Sequence, residues 1–340
     1  MDFKDFWYVV AESKKLKPGV VLGRKVLGEW LAVFRDEHGK PVALQDRCLH
    51  RSAQISKGRL KDGKLTCPYH GWTYNGEGQV VAIPSEGPEG HLKLRRCAKR
   101  FAILEKDDYV YVRLTDTPSE ELLPFDIPHY KEKGWKTIRL TYHFKNNVTN
   151  CVENFVDVPH TVFVHPTIFR NSKYQKFGAT VKRENGAVQV EYKHESGNLG
   201  IFSKFLNPSG REIVHRDNFY MPNVTCVEYI FGPSRHFFIT SQSVPETDDQ
   251  TLVYTDLTYN YGIWNFLSGP IVRKQARIII EQDVEILNNQ METLKRYGDK
   301  FNNSSADVIH VLIESIRNEI EKGGDPRKLP PKTAEIEFWV

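Results

Sequence analysis

The chain has 340 residues, of which 40% are apolar and 26% charged, and its formal net charge is +4. That length is enough for two domains with separate cores, and the composition is that of an ordinary soluble globular protein. Lys and Arg are interleaved with Asp and Glu rather than gathered into a stripe, which argues against a nucleic-acid partner, and no apolar run approaches the roughly 18 residues of a membrane span. The five cysteines are odd in number and widely spaced, against a disulfide scaffold. The opening run Trp7-Tyr8-Val9-Val10-Ala11 is too short for a signal-peptide core. A reduced, cytoplasmic setting is therefore expected, with no membrane partner.

In chain order, residues 7 to about 114 have the texture of short strands and turns. Val20-Val21-Leu22, Leu31 to Phe34, Val42 to Leu44, Val80 to Ile83 and Tyr109 to Val112 are strand-like, punctuated by Asp36, Gly39, Gly63 and Asn75-Gly76. Two Cys/His groups lie in loops between them: Cys48-Leu49-His50, then residues 51–66, then Cys67-Pro68-Tyr69-His70. A Pro- and charge-rich stretch from Thr117 through Pro124, Pro128 and Gly134 reads as a linker, dividing the chain into domains 1–120 and 121–340. Beyond it, a strand is predicted over Thr137–Phe144 and a helical stretch over Asn150–Val158. Strands over Val188–Tyr192, Val224–Phe231, His236–Ser241 and Thr251–Tyr259 form an antiparallel sheet. Long helices are predicted from about Ile271 to Tyr297 and from Ala306 to Lys322. A Pro/Lys strap at Lys328–Lys332 precedes an apolar end, Ile336, Phe338, Trp339 and Val340, expected to dock. The fold class is α+β: an all-β domain followed by an antiparallel-sheet-plus-helices domain.

Each Cys/His group supplies one thiolate and one imidazole. A Rieske [2Fe–2S] centre needs this mixture, because two cysteines hold one iron and two histidines the other, and imidazole raises the reduction potential. A two-Cys, two-His zinc site is the alternative, but zinc arrangements usually pair like with like. Further on, Asp157, His160 and His165 are polar groups in an apolar stretch that includes Phe155, Val156, Val158, Val162, Phe163 and Val164. Buried, they need partners. Two histidines and a carboxylate make the facial triad of mononuclear Fe(II) oxygenases, with positions left open for O2 and substrate. Pro159 directly before His160 predicts an end or kink of the helix there.

At these residues the chain resembles the Rieske non-haem iron oxygenases, specifically their α-type oxygenase component. It carries C-x-H and C-x-x-H at Cys48, His50, Cys67 and His70, and D-x-x-H-x-x-x-x-H at Asp157, His160 and His165. The resemblance implies that the two histidines bind iron and Asp157 bridges, while the third ligand is an Asp on a late helix, here within Ile280–Glu285. Helical geometry selects among the candidates. The i±3 and i±4 neighbours of Asp283 are Ile279, Ile280, Ile286 and Leu287, an apolar stripe, whereas Glu281 and Glu285 face polar neighbours. Asp283 is the predicted ligand.

The same resemblance implies a [2Fe–2S] cluster and a mononuclear Fe(II), with electrons from NAD(P)H through a separate reductase, with or without a ferredoxin. It implies that Asp157 meets His70 of a neighbouring protomer in a homotrimeric ring, and that O2 is used as monooxygenase or dioxygenase to hydroxylate or demethylate a small ring-containing molecule. The layout looks like the vanillate demethylase and dicamba monooxygenase branch. An electron-transfer protein without oxygenase activity is the rival reading. Phe202, Phe205, Tyr220, Tyr229, Phe231, Phe238 and Trp264 are candidates for the pocket, each more simply read as core packing.

Overall fold

The computed structural model describes residues 1–89, 96–116, 122–166, 176–193, 213–232 and 235–339, all but the side chain of Ile263. They form two compact units. One is Lys4–Pro124 with Pro245–Thr247; the other is Met1–Phe3, Phe125–Val244 and Asp248–Val340.

Among its described residues the first unit is all β apart from short 3-10 turns. Its strands are β1 (Tyr8–Glu12), β2 (Leu22–Val26), β3 (Glu29–Arg35), β4 (Pro41–Gln45), β5 (Arg59–Lys61), β6 (Lys64–Thr66), β7 (Thr73–Tyr74), β8 (Val80–Ala82), β9 (Ala102–Lys106) and β10 (Tyr109–Arg113). They pair antiparallel in three small sheets, ordered β1-β10-β9, β2-β3-β4 and β5-β6-β7-β8. Two-residue turns close the hairpins. Asp62-Gly63 and Asp107-Asp108 both have φ positive at each position, the geometry whose twist matches paired strands. Phe34, Leu44, Ile55, Leu65 and Tyr74 pack into one core, and Cys48 and Cys67 are members of it. The expected strand at Val20-Val21-Leu22 starts only at Leu22.

The second unit is built on one eight-stranded antiparallel sheet. Its strands are β11 (Lys136–Phe144), β12 (Lys176–Glu184), β13 (Ala187–Lys193), β14 (Val214–Tyr220), β15 (Val224–Phe231), β16 (Arg235–Thr247), β17 (Gln250–Asn260) and β18 (Lys332–Trp339), in the order β11-β17-β16-β15-β14-β13-β12-β18. The turn Asn185-Gly186, again with φ positive at both residues, sets the β12–β13 register. The apolar end docks as β18, pairing along β12 from Lys176↔Trp339 to Arg183↔Lys332. Ile336 and Phe338 are buried, whereas Trp339 on the other face of the strand is exposed.

Among the described residues the unit also has helices α1 (Val148–Asn154), α2 (Thr161–Val164), α3 (Asn265–Tyr297) and α4 (Val308–Glu321). Of the helix predicted over 150–158 only the part to Asn154 is helical, and a separate short helix follows at Thr161–Val164. Pro159, which has no N–H to donate, lies in the connection between the two. α3 begins at Asn265 rather than near Ile271 and contains Pro270. α4 starts after a 3-10 turn closed by a capping box between Ser304 and Asp307. The buried positions of α3 are Val272, Ala276, Asp283, Leu287 and Met291, a stripe at three- and four-residue multiples. Val272 and Ala276 join Ile138, Leu140, Leu257 and Tyr259 in one core, and Leu287 joins Phe144, Cys151 and Val253 in another. Asn146, fully buried, ties α1 to α3: its amide donates to Leu287 O and Gln290 Oε1, and its oxygen accepts from Asn147 N and Asn150 Nδ2.

Candidate metal centres

The first site lies on the loops after β4 and between β6 and β7. Cys48 and Cys67 are 2% and 3% exposed, while His70 is exposed and His50 half-buried, so the sulfurs face the core and the imidazoles the surface. The backbone shapes both loops. Cys48 N–H donates to Ala53 O and Ser52 N–H to Cys48 O; Cys67 N–H donates to Trp72 O and Gly71 N–H to Cys67 O. Ser52 and Gly71 take positive φ, which turns each loop back on itself. The His50 and His70 rings lie 4.5 Å apart, and Trp72 stacks on His50 at 5.0 Å. Tyr74 donates its hydroxyl to Cys48 Sγ at 3.2 Å and accepts from Leu49 N–H.

These groups are ill at ease by themselves. Both cysteines are free thiols. Burial, with Cys48 beside it, pushes the Cys67 thiol up, so a thiolate there needs a cation. His50 Nδ1 is buried without a hydrogen-bond partner. Burial and the charges of His70, Arg51 and Arg96 push His50 down, toward the neutral imidazole that ligates metal. Two buried sulfurs and two imidazoles, one with an orphaned nitrogen, fit a [2Fe–2S] cluster of the Rieske kind.

The second site joins the α1–α2 segment to α3. His160 Nε2 lies 3.6 Å, and His165 Nε2 3.1 Å, from Asp283 Oδ1. Ligand atoms of the three all fall within 4.8 Å of one another, the one such group among the described residues. Ligands cis to each other at about 2.1 Å from a shared ion lie about 3 Å apart, so the spacing suits an ion. Asp283 Oδ1 is buried with no partner of hydrogen-bond geometry. The other ring nitrogens are spoken for. His160 Nδ1 meets Asp157 Oδ2 at 3.1 Å, and His165 Nδ1 meets Gln282 Oε1 at 2.9 Å. With Nδ1–H donating to each oxygen, both Nε2 lone pairs point to the site, the arrangement that outer partners impose on metal-binding histidines.

Asp157 Oδ2 also accepts the His160 backbone N–H at 3.0 Å, so one carboxylate fixes both the entry to α2 and the ring that leaves it. Burial opposes charge on His160, but Asp157 and Asp283 outweigh it and raise its pKa to about 9. Burial likewise opposes charge on Asp283, and the two histidines overcome it and lower its pKa. In the same segment burial, then Glu314, pushes Glu153 up to about 8. His310 Nε2 lies 3.9 Å from Asp157 Oδ1.

A cavity of about 130 Å³ opens onto these residues. This is the size of cavity that takes up an aromatic ring, about 150 Å³ serving for benzene. The expected Tyr229 and Phe231 line it, together with Phe144, Phe155 and Phe237, which the sequence reading passed over. Phe238 is on the other face of β16, near Trp135 and His129; Tyr220 packs on Phe125; and Trp264 is largely exposed. Phe202 and Phe205 lie outside the described residues. Gln282 was also passed over; its one signal was a polar side chain next to the predicted ligand.

Two family models match: the Rieske [2Fe-2S] domain over residues 6–105, and the vanillate O-demethylase oxygenase C-terminal domain over 144–319. The chain belongs to the Rieske non-haem iron oxygenases, in the group with that C-terminal domain. Among its relatives, the oxygenase component of dicamba O-demethylase from Stenotrophomonas maltophilia is 25% identical over 338 residues, covering 94% of this chain and 97% of that one. The chloroplastic protein TIC 55 of Pisum sativum is 26% identical over 86% of this chain, a match that spans only 53% of that protein. In fold, dicamba monooxygenase bound to dicamba superposes with a TM-score of 0.81 at 23% identity, covering 94% and 98% of the two chains.

Proposed function

We propose that this chain is the terminal oxygenase component of a Rieske non-haem iron system, oxidising a small ring-containing molecule by hydroxylation or oxidative demethylation. The observation that carries it is the convergence of His160, His165 and Asp283 on one point beside a largely apolar cavity. An electron carrier has no need of a second donor set opening on such a cavity. We assign residues 1–120 to the cluster domain and 121–340 to the catalytic domain; the division of the compact units between Pro124 and Phe125 supports this.

In this reading Cys48, His50, Cys67 and His70 hold the [2Fe–2S] cluster, and His160, His165 and Asp283 hold the iron. When bound, the cluster supplies single electrons and the iron a centre for O2 chemistry. The chain's own residues do the rest. Asp157 and Gln282 hold the Nδ1 protons and so keep Nε2 of each histidine basic. Phe155, Val227, Phe237 and their apolar neighbours exclude water and orient a ring. Tyr74 donates to Cys48 Sγ and would raise the potential of a cluster held there. The redox partner is an NAD(P)H-dependent reductase, with or without a ferredoxin. The family resemblance supports a homotrimeric ring in which His70 of one protomer meets Asp157 of its neighbour. The free cysteines favour a reducing, cytoplasmic setting; no helix among the described residues is long and apolar enough to cross a membrane.

Metal analysis tests this directly. Anaerobically purified protein should contain about three iron and two acid-labile sulfide per chain. Two of each, with no further uptake of Fe(II), would leave an electron carrier; zinc without sulfide would overturn both metal assignments.

A further inference from the structure

A second polar cluster lines the same cavity, on elements that contribute nothing to the triad. His215 and Asp217 alternate on β14, both nearly fully buried and both in the cavity wall. His215 Nε2–H donates to Asp217 Oδ1 at 2.9 Å, and the Tyr192 hydroxyl donates to Asp217 Oδ2 at 2.8 Å. The imidazole plane is fixed by stacking on Tyr192 at 4.5 Å and on Tyr229 at 4.3 Å. A buried chain of this kind needs a reason to exist, since polar groups in an apolar wall are costly even when paired.

Its electrostatics are one-sided. The two donors are already directed at Asp217, whereas a carboxylate has about four lone-pair positions and only two are used. The cluster therefore accepts hydrogen bonds from a guest. The described residues of the cavity wall include no Lys and no Arg. An anionic group placed here would be stripped of water beside a carboxylate, with no cation among the described residues of the wall to replace the lost hydration.

We propose that the Tyr192–Asp217–His215 cluster selects the substrate, favouring an uncharged ring compound with an O–H or N–H donor and disfavouring carboxylates and sulfonates. This rests on the oxygenase reading and narrows its substrate class. Asp217 is the group that would touch the substrate; Tyr192 is a positioning residue that acts through it.

The test is calorimetric titration of the iron-loaded, full-length protein, without O2 and near neutral pH, with 2-naphthol and 2-naphthoate. The two are alike in size and differ in charge and donor. 2-Naphthol should bind about tenfold more tightly or better. Asp217→Asn, which keeps the volume and removes the charge, should bring the two within about threefold of each other by admitting the anion. Tyr192→Phe removes one donor from Asp217 and frees a lone pair for the guest, so 2-naphthol should keep its advantage over 2-naphthoate. Equal binding, a preference for 2-naphthoate, or binding of neither probe to the wild-type protein would overturn the proposal. So would an unchanged ratio in Asp217→Asn that retains the wild-type visible spectrum and circular dichroism. If that variant does not fold, the wild-type ratio still decides. All of these are binding measurements. Absence of product with every substrate and reductase would count against oxygenase chemistry alone.

Discussion

The two metal centres are assembled in opposite ways. The cluster site comes from two loops within residues 48–70 of a small β unit, its sulfurs embedded in that unit's own core. The candidate mononuclear site would take two ligands from a short broken helical segment and its third from the middle of a 33-residue helix much later in the chain. The first depends on local turns, the second on tertiary packing that brings α3 against α1 and β11. A loop site survives damage elsewhere, whereas a site split between distant elements inherits every error in their packing.

Paired substitutions would break or sharpen this contrast. The largest effect is expected from Asp283→Ala, which should release the mononuclear iron and abolish product while leaving the visible spectrum of the cluster intact. Cys67→Ala should do the converse, bleaching the spectrum while Fe(II) still binds at the triad. Iron counts and absorption spectra would check both, and simultaneous loss of both metals in either variant would show that the sites are not independent.

Gln282→Leu removes only the partner of His165 Nδ1. Iron affinity should fall about 10- to 100-fold, the usual effect of losing an outer hydrogen bond to a metal-bound histidine, as read by competition with a chelator. Next comes pH. Glu153 has a folded-state pKa raised to about 8 from 4.5, so the folded protein keeps a proton that the unfolded chain releases. Stability from this group is present below pH 4.5 and is lost as pH rises toward 8, by up to about 1.4 kcal/mol per unit. Glu153→Gln should flatten thermal stability against pH across that window; an unchanged slope would show that Glu153 is already ionised. The smallest effect is expected from Tyr74→Phe. Removing one hydrogen bond to sulfur, worth about 1 kcal/mol, should lower the cluster potential by about 40 mV, measurable by redox titration.

The difference in assembly also explains what could be read from the sequence. The Cys/His loops and the Asp157, His160, His165 spacing are local, so their residue types announce their chemistry. Asp283 needed two further clues: the family resemblance, and a helical face on which it is the buried carboxylate while Glu281 and Glu285 are exposed. Even there the stripe was read too wide, since Ile286 is 44% exposed. The pocket was the least legible. On a strand, neighbouring aromatics point to opposite faces, so Phe237 enters the cavity and Phe238 leaves it by parity alone. Strands β12, β14 and β18 carry charged and polar residues on their outward faces, which hid them in a search for apolar runs. On β14 the inward face is polar as well, with His215 and Asp217 buried in the cavity wall, so no apolar alternation marks that pair.

The late strand β18 has a practical consequence. It runs along β12 over eight residue pairs and closes one margin of the large sheet. Trimming residues 332–340 would uncover the β12 backbone, a row of unsatisfied N–H and C=O groups able to recruit strands from other molecules. Such a truncation would leave both metal centres chemically intact and still give a protein that precipitates, so affinity handles and fusions should leave β18 whole and extend outward from the exposed Trp339.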